Sequence, residues 1–200
     1  MLADPIFWVM LIMMMCGATF GLMLISNCRG VVTTVVLGGA ADAAAVSAAA
    51  TTVTLLALFN ALGRVACGTI SDKIGRVNTL LIMLVLGVIG MFILSITGEG
   101  QLGMFRLGAA LVGMAFGSFM GVYPGFCAEQ FGPKNNGVNY GIMFIGLAAA
   151  GYFGPSAMRS IYRADGAYGR SFLVAAAFGA AGFVLTFIYR FFTNKRKRGI

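Results

Sequence analysis

Six long apolar stretches, joined by short polar turns, set the pattern of this 200-residue chain. They run at approximately 5–28, 43–70, 77–98, 104–128, 136–159 and 170–191. A helix of about 20 apolar residues spans the roughly 30 Å of a bilayer's hydrocarbon core, and each stretch is long enough. The pattern predicts an all-α integral membrane protein, a six-transmembrane-helix bundle with no separate soluble domain. Only one stretch carries a charge deep inside it, the second, at Arg64.

Composition agrees with the pattern. Hydrophobic residues make up 60 % of the chain and charged residues 10 %, with a mean hydropathy of +0.93. No soluble domain of this size hides so much apolar surface, so the lipid bilayer is the expected surrounding. The first stretch is too long for a signal-peptide core and has no basic run before it, so no cleavable signal is expected. Six crossings place both termini on one side, and the lysines and arginines choose which. Putting the 71–76 turn in the cytoplasm gives that side Lys73, Arg76, Lys134, Arg190, Lys195, Arg196, Lys197 and Arg198. The other side holds Arg29, Arg106, Arg159, Arg163 and Arg170, so both termini are expected in the cytoplasm. The net charge of +8 thus reads as topology, and with no soluble module to present a basic face, nucleic acid is not an expected partner.

Other chemistries find little purchase. Cys16, Cys28, Cys67 and Cys127 have no C-x-x-C spacing and the chain has no histidine, so neither a metal site nor a cofactor is expected. Without clustered carboxylates, an enzyme built from these helices is not expected either. Asp42, Asp72, Glu99, Glu129 and Asp165 all lie at or near the ends of stretches, so no proton relay is expected at mid-depth.

Arg64 is therefore the residue to explain. It lies about 12 Å along the helix from Asp72, close to the bilayer midplane, too deep to reach water along its own side chain. An arginine there needs a partner, a polar cavity or an anionic ligand. Asn60, one turn away on the same face, is placed to orient the guanidinium or touch a substrate, or else serves helix packing. In the turn beyond, Asp72 is positioned to meet the positive end of the helix starting near Asn136, a contact that would latch that side shut, or else is an ordinary charged turn. Pro124 is expected to bend the fourth helix.

The run Gly68, Ser71-Asp72, Gly75-Arg76 between two spans resembles the cytoplasmic signature loop of major facilitator superfamily transporters. Leu58-Phe59-Asn60-Ala61-Leu62-Gly63-Arg64 and Phe131-Gly132-Pro133-Lys134-Asn135-Asn136-Gly137-Val138-Asn139-Tyr140-Gly141 resemble, more narrowly, the oxalate/formate antiporter family. The opening Asp4-Pro5-Ile6-Phe7-Trp8 and Gly21-Leu22-Met23 are similar to the start of its seventh helix.

The resemblance implies that this chain corresponds to helices seven to twelve of a twelve-helix carrier. The N-terminal six-helix half would then be missing or supplied as a separate chain, with substrate held between the halves and access alternating by rocking. It places the family's helix-eight arginine at Arg64 and its helix-eleven lysine at Leu147, which carries no charge. That departure disfavours a dianion such as oxalate and favours a small carboxylate anion with one charge, such as formate, lactate or pyruvate. Phe116 and Phe144 match aromatic positions that line the family's pocket, while Gly68, Asp72, Gly75 and Arg76 fall in its gate. The alternative is a half-sized protein that transports nothing itself and assembles with or regulates a full-length carrier.

Overall fold

The computed structural model describes residues 1–197, and within them every regular element is helical. Helix α1 spans Pro5–Val31 and runs on through a π-helical turn at Val32–Val36; α2 spans Ala43–Ile74 and α3 Arg76–Ile96. Helix α4 spans Leu102–Phe131, α5 Asn136–Asp165 and α6 Gly169–Lys197. Of the basic tail, Arg198 lies outside the described residues. All six helices are long and apolar enough to cross a membrane. Most overrun the stretches expected from sequence because backbone hydrogen bonding continues past the hydrocarbon boundary, where hydropathy has already fallen. Helix α2, at 32 residues, is about 48 Å long against a core of roughly 30 Å.

Local chemistry sets the ends. Asp4 caps α1 by accepting from the Ile6 amide at 3.0 Å, with Pro5 in the first turn where its missing N–H has no cost. Asp42 caps α2 through the Ala45 amide at 2.8 Å. The α2–α3 and α4–α5 elbows each turn on one glycine, Gly75 at φ 90° and Gly132 at φ 86°, backbone that side-chain-bearing residues rarely adopt.

Helices α1 and α4 form the centre. Helix α4 packs chiefly on α2 and α3, α1 chiefly on α5 and α6, and α3 closes against α6. Between the two groups, Phe20, Phe119, Tyr123, Phe126 and Tyr189 make a run of ring contacts with centroids 4.9–6.5 Å apart. The buried Tyr123 hydroxyl donates to the Met10 carbonyl at 3.0 Å, which satisfies the one polar atom the ring carries into this core.

One side of the bundle stays open. Helices α2 and α5 flank it, and no Cα of one comes within 8 Å of a Cα of the other. In the apolar window of α4, 67 % of residues are buried, against 22 % for α2, so most of the α2 surface faces outward.

Candidate functional site

Helix α2 is fixed from behind. Ala45, Ala49, Thr52, Leu56, Gly63, Cys67 and Ser71 form its buried stripe against α4. Opposite them α4 presents Gly113, Gly117 and Gly121, four residues apart and hence on one face. A Cβ at Gly113 would lie 2.6 Å from the Leu56 carbonyl oxygen, at Gly117 2.0 Å from that of Asn60, and at Gly121 2.2 Å from that of Arg64. Gly63 returns the approach, with its would-be Cβ 2.3 Å from the Met114 carbonyl oxygen. The two backbones are in direct contact, as small residues permit in membrane helices. Two of the three α2 carbonyls held this way belong to Asn60 and Arg64.

On the outward face the Arg64 Nε–H donates to the Asn60 Oδ1 at 3.0 Å. That bond holds the guanidinium plane and leaves both terminal nitrogens without a hydrogen bond to the described residues. The free edge is the one that would bind a carboxylate with two parallel N–H···O bonds. It lines a cavity of about 380 Å³ with Asn60, Ala57, Ala61, Val53 and Leu56 of α2 and Ile25 of α1. No acidic side chain lines this space, so the positive charge has no internal counterion there.

The remaining sequence-derived site residues separate into two groups. Phe144, 40 % exposed, meets Tyr140 edge-on at 4.8 Å on α5, and neither ring lines the Arg64 cavity, although Tyr140 is within electrostatic range of Arg64. Phe116, only 5 % exposed, is packed with Ala18 and Ala150, and half-buried Leu147 packs on the same cluster. The Phe116 side chain crosses α1 at Gly21, where an added Cβ would lie 2.5 Å from the Phe116 Cβ and 2.6 Å from its ring. Phe116 and Leu147 thus belong to one apolar cluster and lie outside the lining of the Arg64 cavity. Tyr140 was not singled out by sequence reasoning, since one tyrosine among the 24 aromatic residues that a 12 % share represents carries no mark of its own.

At the α2–α3 elbow the charges gather on Arg76. Its Nη2 pairs with Asp72, its Nη1 donates to the Ser71 hydroxyl and, at 3.3 Å, to the Gly68 carbonyl, and its Nε donates to Glu129 of α4 at 3.0 Å. Gly125 leaves room for the guanidinium, for a Cβ there would sit 2.7 Å from its central carbon. Gly68, Asp72, Gly75 and Arg76 therefore belong to one cluster, with Glu129 as a member the sequence reading did not include. Of the two readings of Asp72, a latch to the start of α5 or an ordinary charged turn, the structure shows the charged turn. Asp72 is spent on Arg76, α2 and α5 stand apart, and at the head of α5 the Asn136 amide instead donates to the Pro124 carbonyl at 3.1 Å.

No protein-family model matches the chain. It is 26 % identical over 143 residues to YhjX, an uncharacterized MFS-type transporter of Escherichia coli strain K12, a match covering 72 % of this chain and 34 % of that protein. Among solved structures it resembles the Escherichia coli fucose:proton symporter FucP, with a TM-score of 0.72 and 16 % identity, over 93 % of this chain and 43 % of that one. The chain thus spans less than half the length of both proteins. At that identity the second likeness speaks for the fold alone. The chain is a multi-pass membrane protein with the fold of a major facilitator superfamily transporter, and a homologue of an MFS-type transporter.

Proposed function

We propose that this chain is the C-terminal six-helix half of a secondary carrier that moves small monocarboxylates by alternating access, with Arg64 as the carboxylate ligand. The observation that carries the reading is the state of Arg64: oriented by Asn60, open along its terminal nitrogens, and lining a cavity without an acidic partner. A carboxylate entering there gains a charge-assisted, bidentate contact in a region of low dielectric. The resemblance to the oxalate/formate antiporters favours an anion substrate, and Leu147 in place of a second cation favours one charge over two. Phe144 and Tyr140 on α5, outside the lining of the Arg64 cavity, are assigned to an aromatic wall across the open side of the bundle, while the Arg76 cluster just past the C-terminal end of α2 is the gate. The anion moves between this half and an N-terminal half, and both termini face the cytoplasm. Exchange of one anion for another is compatible with the absence of an acidic group at mid-depth.

The test is uptake by the full-length carrier, this chain joined to its other six-helix half, in proteoliposomes offered labelled formate, lactate, pyruvate and oxalate. The expected result is saturable uptake of one or more monocarboxylates, with oxalate poorly carried. Oxalate as the preferred substrate would overturn the reading of Leu147. A chain whose gene holds an in-frame stop before Met1 and which binds no anion would instead be the regulatory or assembly partner of another carrier.

A further inference from the structure

The cavity beside Arg64 continues beyond Arg64. Its lining residues Ile25 and Val53 also border a second cavity, of about 580 Å³, whose walls include Ser26, Arg29, Val46, Ala50 and Tyr168. On α2 the two spaces share one face, for Val46, Ala50, Val53, Ala57, Asn60 and Arg64 succeed one another at three- and four-residue steps. That stripe rises about 27 Å from Val46 to Arg64. Alanines in its middle leave the groove wide. No aspartate or glutamate lines either cavity, and an arginine stands near each end.

Arg29 lies in the last turn of α1. It is exposed, and its guanidinium has no hydrogen bond or ion pair to the described residues. Beside it the Ser26 hydroxyl is exposed, and Tyr168 borders the same space with its ring stacked on Tyr162 at a centroid distance of 4.2 Å. Burial, and secondarily Tyr162, raise the Tyr168 phenol above its ordinary value, so it remains a neutral O–H donor. The mouth of the groove therefore offers one free cation and two hydroxyl donors.

We propose that Arg29, with Ser26 and Tyr168, is a capture site for small carboxylates at the end of the groove away from the Ser71–Arg76 turn, from which the anion passes along α2 to Arg64. The inference rests on the reading of Arg64 given above. Its physics is a division of labour. A free charge at the helix end attracts an anion over about a Debye length and holds it weakly enough to release it, while Arg64, farther along α2 and oriented by Asn60, holds it longer. Low-dielectric walls on both sides focus the attraction into the groove.

The experiment measures initial rates of labelled monocarboxylate uptake by the full-length carrier, from the Arg29 face, at low and at high salt. Arg29→Gln is expected to raise KM roughly three- to ten-fold at low salt, to keep the maximal rate, and to flatten the salt dependence. Arg29→Lys should retain the original KM, since a point charge suffices for capture. Uptake from the opposite face should keep its KM in both variants. Should Arg29→Gln fail to insert, Ser26→Asp, at an exposed position, is expected to raise KM in the same way. An unchanged KM and salt dependence in Arg29→Gln or Ser26→Asp, with uptake lost in Arg64→Gln, would overturn the capture site and leave Arg64 as ligand. Normal uptake by Arg64→Gln would overturn the ligand assignment and the path to it together.

Discussion

A methyl group added at Gly121 tests whether the contact between α4 and α2 is what positions Arg64. The new Cβ would lie 2.2 Å from the Arg64 carbonyl oxygen, against ordinary contact of about 3.4 Å or more, so the two backbones must separate by about 1 Å. Overpacking of this kind costs about 1–3 kcal/mol, offset by up to about 1 kcal/mol from the better helix propensity of alanine. The net expectation is a loss of up to about 2 kcal/mol in stability. The shift occurs at the turn carrying the guanidinium, where a charge-assisted hydrogen bond is worth about 1.5–3 kcal/mol, so carboxylate affinity should fall about 10- to 100-fold. The assay is thermal unfolding of the purified full-length carrier in detergent, together with carboxylate titration. Gly141→Ala on α5 is the control, because a Cβ there meets nothing within 4 Å. It should be at least as stable as the parent and bind equally well. A Gly121→Ala protein that melts and binds like the parent would refute the reasoning.

Two further substitutions probe the site and the elbow. Asn60→Ala removes the acceptor that orients Arg64, and the loss of one hydrogen bond of about 0.5–1.5 kcal/mol predicts a two- to twelve-fold weaker carboxylate, read by titration, with insertion unchanged. Asp72→Asn removes one of the two carboxylates on Arg76 and leaves Glu129 in place. With Asp72 itself exposed and Arg76 keeping Glu129, the pair is worth up to about 1 kcal/mol, so exchange rate is expected to change by up to about five-fold while substrate affinity is kept, measured by stopped-flow or timed uptake.

Much of the fold was legible because lipid imposes a coarse rule that hydropathy reads directly: six apolar stretches became six helices. The pairing of Asn60 with Arg64 was legible too, being a one-turn relation within a single helix. Relations between helices were less so. Glu129 is 53 residues from Arg76, and nothing local marks it, although it precedes Gly132 by three residues as Asp72 precedes Gly75. Among 29 glycines, the three that touch α2 are told apart only by the backbone opposite them. Phe116 and Phe144 looked alike as aromatic residues in apolar helices. Whether such a ring meets core, lipid or cavity depends on which helix is its neighbour, and the bundle buries one and exposes the other. Between the latch and the charged turn at Asp72 the sequence could not choose, and the nearer cation, four residues along the same chain, decides it.

The measurement that bears most directly on Arg64 is calorimetric titration of formate, lactate and pyruvate into the purified full-length carrier, parent and Arg64→Gln side by side, with unfolding temperature recorded for both. Arg64 as the carboxylate ligand predicts that Arg64→Gln melts like the parent and shows no measurable binding. An Arg64→Gln protein that binds the same acid with the parent's affinity would contradict it.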